Sequence, residues 1–155
     1  MKIIKKILVA LLIVFIIMQF FAPDKNQGDM ASIDAFIADT NPPNDVHEIL
    51  KTNCFDCHSD VTKYPWYNSI TPVNYWIADH IEHGKGDFNV SEWESYSLKK
   101  KDHKLEELIE EVEETHMPLP SYTYTHGNLT DEQIKLVVEW AKNVRLKYSL
   151  EPKPQ

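Results

Sequence analysis

Cys54-Phe55-Asp56-Cys57-His58 contains both cysteines of this 155-residue chain. The spacing is C-x-x-C with a histidine directly after it, the pattern of covalent haem attachment. Each thiol can form a thioether with one haem vinyl group, and the adjacent imidazole is placed to bind the iron. Cys54 and Cys57 are therefore the expected attachment residues, His58 the proximal iron ligand, and one haem c the cofactor. Two plainer readings compete. A redox pair of this spacing belongs in a strand-to-helix setting with a low-pKa thiol, and no alternation of strands and helices is visible. A structural zinc site needs four ligands, which Cys54, Cys57, His80 and His83 would supply.

Ahead of the motif, Met1-Lys2-Ile3-Ile4-Lys5-Lys6 is basic, and Ile7 to Ala22 is apolar apart from Gln19. No acidic residue precedes Asp24. This is the charge and hydropathy pattern of a signal peptide or signal anchor. Phe20-Phe21-Ala22-Pro23 offers bulky aromatics and a proline after its one small residue, so an uncleaved membrane anchor is favoured. The apolar run is nevertheless short of the ~20 residues that span a bilayer comfortably. The expected location is the extracytoplasmic (periplasmic) face of the inner membrane. With both cysteines committed, none is left for a disulfide scaffold.

The expected organisation is a signal segment at 1–22, a linker at 23–43, one haem-binding domain at 44–148 and a tail at 149–155. All 24 acidic residues and all but three of the 16 basic ones follow residue 22. So acidic a domain disfavours nucleic acid and anionic lipid as partners. It suits a basic face on a redox partner, though acidity also serves solubility.

Helical signals dominate. Ile33, Phe36 and Ile37 suit a short helix docking onto the domain. Asn44 or Asp45 caps a helix running through Val46, Ile49 and Leu50 into the motif. Thr71-Pro72 opens a helix that Gly84 closes. Ser91-Glu92-Trp93-Glu94 and Thr130-Asp131-Glu132-Gln133 are capping-box patterns. Leu105, Leu108, Ile109 and Val112 give a helical stripe on an acidic helix whose run Glu106 to Glu114 reads as a solvated face. Ile134, Val137, Val138, Trp140, Ala141 and Val144 give another. Strand-like alternation is absent, so the expected fold class is all-α.

Bound iron also needs a distal side. Met117 is the only methionine beyond the linker, in Thr115-His116-Met117-Pro118-Leu119-Pro120, where two prolines stiffen the loop. His80, His83, His116 and His126 are alternatives, as is an open site. Tyr64, Trp66, Tyr67, Trp76 and Trp93 read as core and pocket wall, with Trp66 or Tyr67 available to a haem propionate.

The order of a C-x-x-C-H helix, a middle region, a Met-Pro loop and a final helix with an aromatic resembles class I cytochrome c. More closely, Cys54-Phe55-Asp56-Cys57-His58-Ser59, Tyr64-Pro65-Trp66-Tyr67, Ile70-Thr71-Pro72-Val73, His80, Gly84, Ser91-Glu92-Trp93 and Met117-Pro118 resemble a bacterial haem-binding domain family of exported, cytochrome c-like proteins. The resemblance covers roughly residues 40–145. It implies a cytochrome c-like helical domain around one covalent haem, with His58 proximal and Met117 distal. It departs from small cytochromes c in the two helices between motif and methionine. The expected function is a membrane-tethered extracytoplasmic monohaem cytochrome that transfers electrons to a redox partner and is not an enzyme. A gas or redox sensor, or a peroxidase-like protein with a labile distal site, is the alternative. The chain's only arginine, Arg145, lies outside the candidate distal region.

Overall fold

Residues Leu98–Glu113 and Asp131–Leu150 carry apolar residues every three or four positions, and these stripes meet to form the spine of the molecule. The computed structural model describes residues 2–150. Its helices are α1 (Lys2–Met18), α2 (Asp34–Thr40), α3 (Asn44–Asn53), α4 (Phe55–His58), α5 (Val73–Asp87), α6 (Leu98–Glu113), α7 (Pro120–His126) and α8 (Asp131–Leu150). Short 3-10 turns occupy Met30–Ile33, Trp66–Ser69 and Val90–Ser95. Among the described residues there is no strand, only an isolated bridge between Gln27 and Val61. The all-α expectation holds.

Leu105, Ile109 and Val112 of α6 face Val137, Val138, Ala141 and Val144 of α8, all buried. α3 packs against α8 and delivers Val46, Ile49 and Leu50 to the same core. The capping box at the start of α8 is reciprocal. Gln133 N donates to Thr130 Oγ1 at 3.2 Å, and Thr130 N donates to Gln133 Oε1 at 2.9 Å.

The docking helix expected around Ile33 and Phe36 is α2. Phe36 is fully buried and makes edge-to-face contacts with Phe55, Phe88, Trp93 and Trp140 at centroid separations of 5.0–6.3 Å. Truncating such a residue costs about 3–5 kcal/mol. The stretch ahead of α2 is pinned to the chain just beyond the cysteine motif. Asn26 Nδ2 donates to Ser59 O and Thr62 Oγ1, each at 2.8 Å, and Gly28 N donates to Asp60 O at 2.6 Å.

The expected membrane-anchor helix is not supported. α1 has 17 residues, about 25 Å at 1.5 Å per residue, short of the ~30 Å hydrocarbon core. Among the described residues no helix is long and apolar enough to cross a membrane. α1 buries no residue against the rest of the chain. Gln19, just beyond it, exchanges two hydrogen bonds of 3.0 Å with the Thr71 backbone. Met1 and most of the expected tail, 151–155, lie outside the described residues.

Three other expectations are corrected by tertiary contacts. Gly84 does not end α5, which continues to Asp87. A Cβ at Gly84 would sit 2.9 Å from Cys57 O, so its lack of a side chain serves a close helix approach. Ser91 is not a cap: Asn89 accepts from Ser91 N, while the Ser91 hydroxyl accepts from Asp60 N at 2.9 Å and meets Ser32 Oγ. Neither Asn44 nor Asp45 is the N-cap of α3, which is Pro43 with no side-chain cap bond, and the helix breaks at Cys54 before α4 begins.

Candidate haem site

The break at Cys54 separates the core-facing stripe of α3 from α4, and α4 presents the motif to a cavity of about 620 Å³. This volume lies within the range of small-molecule and cofactor pockets. Cys54, His58 and Met117 all line it, although Met117 is 59 residues beyond His58 in sequence. Its apolar wall comes from Phe36, Leu50, Phe55, Phe88, Val90 and Leu108. A second space of about 350 Å³ shares His58 and Met117 and adds Cys57, His80 and His83. The two thiols therefore stand in adjoining spaces that share His58 and Met117. Neither thiol is in a disulfide.

His58 Nδ1 lies 2.9 Å from Phe88 O. A carbonyl can only accept, so Nδ1 carries the proton and the unprotonated Nε2 is the available ligand atom. A backbone carbonyl in this role fixes the ring and raises its basicity toward a metal. Phe88 is the residue that ends α5, and its own N–H donates to Gly84 O at 2.9 Å. The helix that makes room for Cys57 thus also orients His58.

Met117 is held by its backbone. Thr115 turns the chain out of α6 with φ +58°, and the amides of His116 and Met117 both donate to Glu111 O at 2.9 and 3.0 Å. Pro118 joins Met117 on the cavity wall. Beyond it, α7 is tied across the motif by Tyr122 OH, which donates to Thr52 O at 2.8 Å.

Burial pushes the Cys54 thiol up to about 12, with the neighbouring Cys57 adding to the shift. Burial also lifts Cys57 to about 11, and the Asp56 carboxylate adds to it. Thiols held neutral are the reverse of the low-pKa thiolate of a C-x-x-C redox pair. Among the described residues no three His, Cys, Asp or Glu side chains gather as a metal site, which removes support for zinc on Cys54, Cys57, His80 and His83.

A family model described as a haem-binding domain matches residues 13–143. The chain belongs to that family. Nothing matches among curated proteins or among solved structures. The fit of the haem-binding domain to its cofactor rests on this chain's own donors: two unpaired thiols, an oriented imidazole and a thioether around an apolar cavity.

The other expected residues are scattered. His116 lies off the cavity, with Nδ1 3.4 Å from Glu114 and 3.7 Å from Glu111. His126 stacks on Tyr122 at 4.0 Å. Trp93 is fully buried core, but Trp66 is 80 % exposed and does not reach the main cavity. Tyr67 turns its hydroxyl to Thr125 at 3.1 Å. Sequence reasoning missed the Phe88 carbonyl, which carries no side-chain signal. It also missed the inner stripe of α6, where Lys104, Glu107, Leu108 and Glu111 line the cavity at helical spacing. That spacing was readable, but the abundance of glutamate disguised it as solvated surface.

Proposed function

We propose that this haem-binding domain is an exported monohaem c-type cytochrome and an electron carrier rather than an enzyme. Cys54 and Cys57 would hold the haem covalently, and His58 and Met117 would supply ligands to its iron. The observation that carries this reading is the convergence of Cys54, His58 and Met117 on one apolar cavity with His58 Nδ1 already occupied by Phe88 O. When bound, haem supplies a one-electron iron couple, whose potential methionine ligation raises. Phe88 O holds the His58 imidazole in one orientation, which would keep that ligand in place in both oxidation states. The Glu111 carbonyl fixes the loop that presents Met117. Phe36, Phe55, Val90 and Leu108 exclude water from the site.

Export is supported by the basic Lys2, Lys5 and Lys6 followed by the apolar segment to Ala22. Redox proteins on the extracytoplasmic side are the proposed partners. The sensor or peroxidase alternative has less support: His116 is turned to Glu111 and Glu114, and Arg145 is engaged by Asp102 and Glu106 of α6.

The test is the protein matured with cytochrome c assembly machinery, run on a denaturing gel with haem staining, then measured reduced with and without carbon monoxide. The expected result is haem that survives denaturation and a low-spin spectrum indifferent to carbon monoxide. Haem lost on denaturation refutes attachment. A spectrum that shifts with carbon monoxide refutes firm distal ligation and favours sensing or catalysis.

A further inference from the structure

Haem is amphipathic in a fixed sense: its vinyl edge lies opposite the edge that bears two propionate carboxylates. If the vinyl edge is fixed by Cys54 and Cys57, the carboxylates face the other wall of the cavity. The inner stripe of α6 contributes to the lining of that cavity, and its polar members there are Lys104, Glu107, Glu110 and Glu111, with Asp87 of α5 also lining it. Among the described residues lining the cavity, Lys104 is the one lysine or arginine, and the adjoining space beside Cys57 has neither.

Lys104 is unusual for a lysine in a helix so rich in solvent-facing charge. Its side chain is only 17 % exposed, and its ammonium group meets Glu107 Oε2 at 2.6 Å. Burying a lysine head this far is costly unless it is paired. Glu107 has a second partner, His103 Nε2 at 3.2 Å from its other oxygen, and is 41 % exposed. It can therefore turn outward without losing all of its partners, whereas Lys104 cannot.

We propose that Lys104 binds a haem propionate, exchanging Glu107 for it. This rests on covalent attachment at Cys54 and Cys57, which sets the direction of the carboxylate edge. Asp87, Glu110 and Glu111 repel a propionate, so the one cation in the lining decides where it is seated. Lys104 acts as a positioning residue: it orients the haem within its cavity and places positive charge near it.

The experiment compares wild type, Lys104→Gln, Lys104→Arg and the exposed control Lys135→Gln, each matured with covalent haem. Resonance Raman spectroscopy reads the propionate bending bands, and potentiometry reads the midpoint potential. The expected result is shifted bands and a lowered potential in Lys104→Gln only, since loss of a cation favours the ferric state. Lys104→Arg restores the wild-type bands. Unmoved bands in a Lys104→Gln protein that melts like wild type overturn the proposal and leave the propionates to other groups such as His80 or His83. If Lys104→Gln is too unstable to purify, Lys104→Met, which keeps the apolar stem and removes the charge, is read in the same way: shifted bands support the proposal and unmoved bands overturn it. Absence of covalent haem in wild type itself overturns the parent reading, and Lys104 with it.

Discussion

Replacing Asp39 with asparagine removes the charge at which four elements meet. Its carboxylate, on α2, accepts from Trp93 Nε1, Lys101 Nζ and Tyr148 OH, each at 2.9 Å, and from Lys147 Nζ at 3.3 Å. Burial alone would raise this carboxyl, but the hydrogen bonds from Lys101, Trp93 and Tyr148 outweigh it and hold it at about 2, below the ordinary 3.8. At 1.36 kcal/mol per unit the difference is worth about 2.4 kcal/mol. A quarter of the side chain is exposed, and solvent screening trims the figure to about 1–2 kcal/mol. Because the folded pKa lies below the unfolded one, this stability is present above about pH 4 and is lost as pH falls through about 2. Asp39→Asn should therefore lower stability at pH 7 by about 1–2 kcal/mol and Tm by roughly 3–8 °C. By pH 3 the gap from wild type should close by roughly half. Urea unfolding of both haem-loaded proteins at pH 7 and pH 3 measures this. A gap below about 0.5 kcal/mol at pH 7, or one that does not narrow at pH 3, refutes the account.

Two further substitutions probe the site from either side. Gly84→Ala would ordinarily stabilise a helix by about 1 kcal/mol, but here the new methyl meets Cys57 O at 2.9 Å and Cys57 Cβ at 3.3 Å. The expected outcome is a net loss of about 1–3 kcal/mol with a lower yield of covalent haem. Gly86→Ala, with nothing within 4 Å, should be neutral or stabilising, and equal melting of the two variants would contradict the argument. Met117→Ala should convert low-spin iron to a high-spin or water-ligated form, read in the visible spectrum. An unchanged spectrum would move the distal ligand to a histidine.

The sequence was legible wherever local chemistry is its own signature. Cys54 and His58 of the spaced motif line one cavity, and Thr130 and Gln133 form the reciprocal cap their positions implied. Met117 was singled out as the only methionine beyond the linker, and it lines the same cavity as His58. What stayed hidden depends on partners far along the chain. A glycine near the end of a helical pattern reads as a terminator, and only the proximity of Cys57 shows that Gly84 is a spacer. Asp39 looks like one more surface carboxylate until Trp93, Lys101 and Tyr148 converge on it. Trp66 matched the aromatic signature of a pocket wall but lies exposed beside the segment that follows α1. The exposed, apolar α1 belongs with neither class, since none of the described residues covers it.

The two sides of the cavity are built from separate stretches of the chain. α3, α4, the Gly84 spacing and the Phe88 acceptor shape the cysteine–histidine side. The methionine side depends on Glu111 at the end of α6, and α6 is braced by α8, the last helix of the described chain. α3, which leads into the cysteine motif, packs on the same helix. α8 thus joins the two sides of the site without contributing a residue to the described lining of the cavity.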